Sequence, residues 1–156
     1  MELLGVRLEL PANAPVVLLR EQGGERRVLP IYIGPEEARA IALALEGVST
    51  PRPMTHDLFR DVLGELGVVL ERVVITELRE STFFAELHLN ASGQARVVSS
   101  RPSDAVALAV RVGCRIFIAE EVLDEAAALP PEAVADEMVE QFREFIDSVN
   151  PEDFAS

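Results

Sequence analysis

Residues 68–121 read VVLERVVITELRESTFFAELHLNASGQARVVSSRPSDAVALAVRVGCRIFIAEE, and this stretch decides the fold. Three runs that contain β-branched or aromatic residues come first and predict strands over residues 68–80, 81–90 and 93–100. A helix over 101–113 follows, with Pro102 early and Gly113 at its end, and then a buried strand begins at Cys114. Consecutive strands, followed by one helix and one strand, favour an α+β fold over a doubly wound parallel sheet.

The pattern before this stretch adds further strands and two helices. Three β-rich runs open the chain, at residues 3–10, 15–22 and 26–34. One helix is predicted over 34–47, and a second begins with Thr55 as its N-cap and ends at Gly67. The apolar residues of this second helix form one stripe, which we expect to face the core: Leu58, Phe59, Val62, Leu63 and Leu66.

The predicted architecture is α+β, with a mixed, mostly antiparallel sheet and flanking helices in a single compact domain over residues 1–128. The chain has 156 residues, which is enough for one such domain with a hydrophobic core. Residues 129–156 are assigned to an acidic C-terminal helix and tail, because the pattern over 131–151 is amphipathic.

Charge is distributed unevenly along the chain. The formal net charge is −13, and every basic residue is an arginine. Residues 1–119 carry 13 arginines and 15 acids, whereas residues 120–156 carry one arginine and 12 acids. A polyanionic segment repels nucleic acid at long range, but it leaves an arginine-lined cleft elsewhere able to bind locally.

The single cysteine and the N-terminal residues bear on chemistry and compartment. Cys114 cannot form an intramolecular disulfide or a cysteine metal site, and its apolar surroundings favour a buried structural role over a nucleophile. The first residues lack the features of a signal peptide, and no apolar run approaches membrane-spanning length. We therefore expect a cytoplasmic protein with no membrane partner.

The stretch PRPMTHDLF, residues 51–59, holds one of the two histidines. At about 100° per residue around the helix, Asp57 falls nearly opposite the apolar stripe and points outward, whereas His56 falls to its side. His56 therefore needs a partner from elsewhere to act as a general base; otherwise it is a boundary side chain bonded to a neighbouring loop. Asp57 and Asp61 share a face, which suits Mg²⁺, Mn²⁺ or simply solvent.

The second polar cluster is SSRPSDAVALAVR, residues 99–111. Arg101 is the predicted N-cap and Asp104 the third helical residue, where a carboxylate bonds back toward the helix start or binds a metal. Arg101 and Ser103 at a helix N-terminus suit a phosphate group. His88 alternates with leucines on a predicted strand, and we expect it at the surface or at an interface.

The order of THDL, a strand pair and RPSDA-ALA-R resembles the bifunctional nuclease domain family. The resemblance runs from about residue 29 to 154 and is carried by these stretches: LPIYIGPEEARAIA, PRPMTHDLFRDVL, ITELRESTFFAEL, SSRPSDAVALAVRVGCRIF and EFIDSVNPEDF. It implies an α+β fold, assembly into at least a dimer, and hydrolysis of phosphodiester bonds in DNA and RNA.

Carried onto this chain, the resemblance places the polar residues of several helix starts in one site. The catalytic candidates are His56, Asp57 and Asp104, and the two aspartates are also the candidate metal ligands. The substrate-binding candidates are Arg52, Thr55, Arg101 and Ser103, which Glu36 and Glu37 could join. As a cofactor we expect Mg²⁺ or Mn²⁺. We expect no organic cofactor, because the sequence has no nucleotide-binding fingerprint.

Two functions therefore stay open at the level of sequence. The first is a metal-assisted nuclease that acts on DNA or RNA, which the family favours. The second is a non-catalytic, oligomeric module that binds a nucleotide-like ligand or a protein partner, which the acidic balance and the missing metal motif favour. Aromatic residues make up 5% of the chain, with no Trp, so stacking surfaces for single strands are scarce.

Overall fold

The computed structural model describes residues 2–9 and 14–128. The described residues form two compact units, of which one contains those up to Arg52 together with residues 126–128, and the other is Pro53–Glu125. The predicted C-terminal helix and tail, residues 129–156, lie outside the described residues. The predicted domain limit after residue 128 therefore stays a prediction.

The first unit is built on an antiparallel sheet of three strands in the order β1-β2-β3. Its elements are β1 (Glu2–Glu9), β2 (Ala14–Arg20), β3 (Val28–Tyr32) and the helix α1 (Pro35–Glu46). The middle strand is apolar from residue 16 to 19, and all four of those side chains are buried. This burial agrees with the position of β2 between two strands and in contact with α1.

The second unit contains a four-stranded sheet in the order β6-β5-β4-β7. Its elements are α2 (Thr55–Glu65), β4 (Val68–Arg79), β5 (Thr82–Ala91), β6 (Gln94–Ser100), α3 (Pro102–Val112), β7 (Arg115–Ile118) and α4 (Glu120–Ala126). The pairs β4–β5 and β5–β6 are antiparallel, and β7 joins β4 in parallel after the crossover helix α3. The predicted α+β class, with a mixed and mostly antiparallel sheet, is confirmed.

One face of this sheet is buried, and α3 contacts three of its strands. Val73, Ile75, Leu87 and Ile116 all lie on this face and are buried. The helix presents mostly small residues there, and a run of five from Ala105 to Ala109 is buried. Small side chains let a helix lie close to a sheet, so the N-terminus of α3 is held firmly at the end of β6.

The helix α2 differs from its predicted description in two respects. Its N-cap is Met54 and not Thr55, and Asp57 is the third helical residue, whose carboxylate accepts a hydrogen bond from the Met54 N–H at 3.1 Å. The predicted apolar stripe does not face the core: Leu58, Phe59, Val62 and Leu66 are 45% to 70% exposed. The opposite side of α2, which carries Asp57, is held against α3 by polar contacts described below.

We expect the buried face of the four-stranded sheet to dominate the stability of the second unit. The variant Ile75→Ala should lower the free energy of unfolding by about 2–5 kcal/mol, because it removes a fully buried side chain and leaves a cavity. The variant Val69→Ala, on the same strand but 60% exposed, should change it by about 0.5 kcal/mol or less. Urea unfolding of both variants is the measurement, and equal losses would contradict this assignment of the core.

Candidate active site

Two helix starts of the second unit meet through a hydrogen bond between side chains. His56 lies in the first turn of α2, and Asp104 lies in the first turn of α3. The Nε2 atom of His56 is 2.8 Å from Oδ1 of Asp104, although the two residues are 48 positions apart in the chain. The His56 side chain is 16% exposed, so it is largely enclosed but still reaches solvent.

The chemistry of the two groups decides where the proton lies in this bond. An ionised carboxylate only accepts hydrogen bonds, so Nε2 of His56 carries the proton and donates a hydrogen bond to Oδ1 of Asp104. In the neutral ring, Nδ1 then has a free lone pair, and no residue in the described part of the chain occupies it with a hydrogen bond. His56 is therefore oriented by a carboxylate at one nitrogen and able to accept a proton at the other.

Arg101, the N-cap of α3, makes the second contact of Asp104. Its Nε donates to Oδ2 at 2.8 Å, and one terminal nitrogen donates to Oδ1 at 3.2 Å. Burial alone would raise the pKa of Asp104, but the hydrogen bonds from Arg101 and His56 outweigh it and lower the pKa. Asp104 is therefore ionised at neutral pH, and the Arg101 side chain remains 63% exposed beside it.

A second ion pair ties α2 to α3 and was not predicted from the sequence. Arg111, near the end of α3, is 4% exposed; its Nε donates to Oδ1 of Asp57 at 2.7 Å. The same guanidinium donates to the carbonyl oxygen of Ala107 at 2.9 Å. Asp57 does not point outward as expected, because the buried guanidinium draws its carboxylate toward α3. The one sequence feature that could have indicated this ion pair is an arginine, Arg111, within the otherwise apolar second half of the helix.

The remaining candidate residues differ in exposure and in the compact unit to which they belong. Thr55 is exposed at the start of α2, whereas Ser103 is only 6% exposed in the first turn of α3. Arg52 belongs to the other compact unit, as do Glu36 and Glu37. The predicted substrate contacts of all these residues stay predictions.

The carboxylate oxygens at the site are already occupied as hydrogen-bond acceptors. Asp57 accepts from Arg111 and the Met54 N–H, and Asp104 accepts from His56 and Arg101. Among the described residues, no group of three or more His, Cys, Asp or Glu side chains is arranged to hold a metal ion. A divalent cation at Asp57 or Asp104 would compete with these donors for the carboxylate oxygens, and the predicted metal contacts of both residues stay predictions.

Cys114 has no part in this site. It is half-buried next to β7, and burial raises the pKa of its thiol. A raised pKa keeps the thiol protonated at neutral pH, which agrees with the expected structural role and argues against a nucleophile.

The chain belongs to the bifunctional nuclease domain family, whose model matches residues 17–130. It is 48% identical over 162 aligned residues to uncharacterized protein Rv1829 of Mycobacterium tuberculosis, covering 99% of this chain and 96% of that protein. It is 29% identical to bifunctional nuclease 1 and 30% identical to bifunctional nuclease 2 of Arabidopsis thaliana. Those matches cover 69% and 70% of this chain but only 33% and 34% of the plant proteins.

The family's shared region contains both helix starts and the four-stranded sheet. Among the described residues, no helix has the length and apolar character needed to cross a bilayer.

The buried ion pair between Arg111 and Asp57 should contribute strongly to stability. Arg111→Met should lower the free energy of unfolding by about 2–4 kcal/mol, because it leaves the partly buried carboxylate of Asp57 without its cation. Arg111→Met combined with Asp57→Asn should cost less than the sum of the two single variants. Urea unfolding of all four proteins measures this coupling, and strictly additive losses would show that the pair is not coupled.

Stability should also depend on pH through Asp57. Burial alone would raise the pKa of this group, but the Arg111 and Met54 hydrogen bonds outweigh it and lower the pKa in the folded state. A lowered pKa stabilises the fold above the ordinary Asp pKa of about 3.9, and this contribution is lost as the pH falls through the folded value. Asp57→Asn should therefore be less stable than wild type near neutral pH, with a difference that shrinks in acid.

The pH profile needs a matched control on the same helix. Glu65→Gln changes an exposed carboxylate of α2 that has no ion pair among the described residues. Its stability difference from wild type should stay constant across the same pH range. If the Asp57→Asn difference were equally constant, the ion pair would not be the source of the acid sensitivity.

Proposed function

We propose that this protein is a nuclease that hydrolyses phosphodiester bonds in DNA, RNA or both. The observation that carries the proposal is the bond between His56 and Asp104, which leaves Nδ1 of His56 open as a proton acceptor. An exposed guanidinium, that of Arg101, lies next to this pair and suits a phosphate group. The names of the plant relatives, bifunctional nuclease 1 and 2, support the same chemistry.

The proposed reaction assigns one role to each of these three side chains. Nδ1 of His56 accepts the proton of the attacking water while the new P–O bond forms and the bond to the leaving ester oxygen breaks. Asp104 keeps its hydrogen bond to Nε2 and stabilises the positive charge that develops on the ring. Arg101 donates to the phosphate oxygens, where negative charge increases, and the proton finally passes from His56 to the leaving oxygen.

Asp57 has a different role in this proposal from the one predicted. Oδ1 of Asp57 accepts the hydrogen bond from Arg111 that holds α2 on α3, and Oδ2 accepts the Met54 N–H at the start of α2. We therefore treat Asp57 as a positioning residue for His56. Contacts of Arg52, Thr55 and Ser103 with substrate remain part of the proposal. Assistance by Mg²⁺ or Mn²⁺ and a cytoplasmic location also remain predictions, and no step above depends on a metal.

Cleavage of labelled single-stranded RNA and DNA tests the proposal, with Mg²⁺, with Mn²⁺ and with a chelator. His56→Ala should lower kcat/KM by about 10²–10⁴-fold, because it removes the general base. Asp104→Asn should also reduce cleavage, because its side chain no longer stabilises the charged ring. Glu65→Gln, the exposed carboxylate on α2, should cleave at the wild-type rate.

Each outcome of this experiment favours one function. Loss of cleavage in both site variants, with folding intact, would support the nuclease, and the chelator would show whether a metal is needed. Equal cleavage by all variants would place the activity elsewhere. No cleavage in any condition would favour the alternative function, a non-catalytic oligomeric module that binds a nucleotide-like ligand or a protein partner.

Assembly into a homodimer or larger homo-oligomer is a further part of the proposal. The exposed apolar stripe of α2 supports this assembly. Four large apolar side chains exposed on one helix face are typical of a surface that another subunit covers. A second copy of the chain presents the same stripe, so a two-fold contact would cover both.

Sedimentation equilibrium tests this assembly. Val62→Asp places a charge in the middle of the stripe. Because burial of this side chain contributes about 1.5 kcal/mol or more, the dissociation constant of the dimer should rise at least tenfold. Arg60→Gln, a change at an exposed residue outside the stripe, should leave the mass distribution unchanged. A wild-type protein that is monomeric at all concentrations would contradict the proposal.

A further inference from the structure

The four-stranded sheet has a second face, on which side chains from several strands are exposed. Residues paired in register across a sheet share a face, and successive residues along a strand alternate between faces. Because Val73, Leu87 and Ile116 form the buried face, their neighbours in sequence lie on the opposite one. We call this opposite side the open face.

Two rows of side chains in register define the open face. The first row runs across all four strands as Arg115, Arg72, His88 and Val97. The second row runs beside it as Phe117, Val74, Glu86 and Ser99. Val97 is 55% exposed and Phe117 is 42% exposed, and the side chains of Arg72 and Arg115 are exposed as well.

The two rows carry one more positive than negative charge, Arg72 and Arg115 against Glu86, although the chain as a whole has a net charge of −13. Arg72 and Arg115 are directly opposite each other on adjacent strands, an arrangement that costs free energy through repulsion. In the described part of the chain, neither guanidinium forms an ion pair with a carboxylate. A bound anion between the two arginines would relieve this repulsion and use donors of both.

A chain of hydrogen bonds fixes the position of one of these arginines. A guanidinium can only donate, so a terminal nitrogen of Arg72 donates to Nδ1 of His88, at 3.1 Å. His88 then carries its proton on Nε2, which donates to Oε2 of Glu86, also at 3.1 Å. The one carboxylate of the two rows is thus engaged by His88, and Arg72 is held against the sheet with further N–H groups available.

Aromatic rings accompany the arginines on this face. Phe117 lies two residues after Arg115 on the edge strand β7, with its ring partly exposed. Nearer the start of β5, Phe84 is on the same face as Glu86 and His88. The guanidinium of Arg79, which also forms an ion pair with Glu77, lies 4.7 Å from the centre of the Phe84 ring. Proteins that bind single-stranded nucleic acid combine two features on one surface: cations that contact the phosphates, and aromatic rings on which the bases stack.

We propose that the open face binds single-stranded nucleic acid, with a phosphate between Arg72 and Arg115 and a base stacked on Phe117. This inference rests on the proposed nuclease function and narrows its substrate to unpaired strands. A duplex keeps its bases stacked on each other, so it cannot offer one to the Phe117 ring. The chain has few aromatic residues, but a few are enough to stack bases when they lie on the same face of the sheet.

Binding can be measured apart from cleavage, which keeps the two proposals distinguishable. Fluorescence anisotropy would follow a labelled single-stranded oligonucleotide binding to His56→Ala protein in chelator, so that loss of cleavage does not affect the result. Arg115→Gln and Phe117→Leu, each added to this background, should weaken binding by about tenfold. Arg115→Gln should also reduce the slope of log affinity against log salt by about 0.7, because one phosphate contact is lost.

Two control variants accompany this experiment. One changes an arginine on the opposite side of the same sheet, and the other keeps an aromatic ring at position 117. Arg96 pairs with Leu89, a register position of the buried face, and it is exposed on the edge strand β6; Arg96→Gln should therefore bind like the parent protein. Phe117→Trp keeps an aromatic ring and should retain binding, which separates loss of stacking from loss of folding. A duplex of the same sequence should compete poorly.

Several results would overturn the inference. These are no binding of any single strand, equal weakening by Arg96→Gln and Arg115→Gln, or equal affinity for the duplex. If single strands bind through Arg115 and Phe117 while wild-type protein cleaves nothing, the open face stands and the nuclease function fails. If His56-dependent cleavage occurs but the open-face variants bind normally, the nuclease stands and this inference fails.

Discussion

Arg111 places a guanidinium, almost fully out of solvent, between α2 and α3, and the geometry of the candidate active site depends on it. A buried cation requires a carboxylate partner, and Asp57 supplies it from the first turn of α2. The ion pair sets the rotation of α2 about its own axis. With Asp57 turned toward α3, His56 reaches Asp104, and the apolar stripe of α2 is left facing outward.

This constraint connects packing to chemistry. The small residues of α3 let it lie close on the sheet, so that Arg101, Asp104 and Arg111 have fixed positions along one rigid helix. The helix α2 contacts α3 and β4, and both polar contacts described here come from its first turn. His56, the candidate base, is therefore positioned by two hydrogen bonds. One joins Arg111 to Asp57 and holds the helix, and the other joins the His56 ring to Asp104.

The distribution of charge in the second unit follows a related logic. Asp57 and Asp104 are each neutralised by an arginine, and Glu86 is engaged by His88. Arg72 and Arg115 instead stand together on the open face without a carboxylate partner in the described part of the chain. An acidic protein can thus present a locally cationic surface, because the positions of its carboxylates and not their number decide the local potential.

Local sequence patterns predict the class of fold, which the structure confirms, and they indicate the two helix starts from which the candidate site is built. Alternating and β-branched runs over 68–100, the proline and glycine that bound α3, and the polar helix starts all follow from local preferences that act within a few residues. The expectation that His56 needs a partner from elsewhere followed from helical geometry alone. Family membership was also visible in the same stretches.

The side of α2 that faces α3, and the contact of His56 with Asp104 across 48 positions of chain, depend on how the helices pack in three dimensions. The helical periodicity of α2 predicts an apolar stripe packed on the core, but the ion pair of Asp57 with a buried arginine 54 positions away turns the stripe outward. Sequence reasoning weighs apolar periodicity within one helix, whereas an ion pair between helices depends on the packing of both. The same limit concealed the open face, because the register that aligns Arg115, Arg72 and His88 is set by three separate strand pairings.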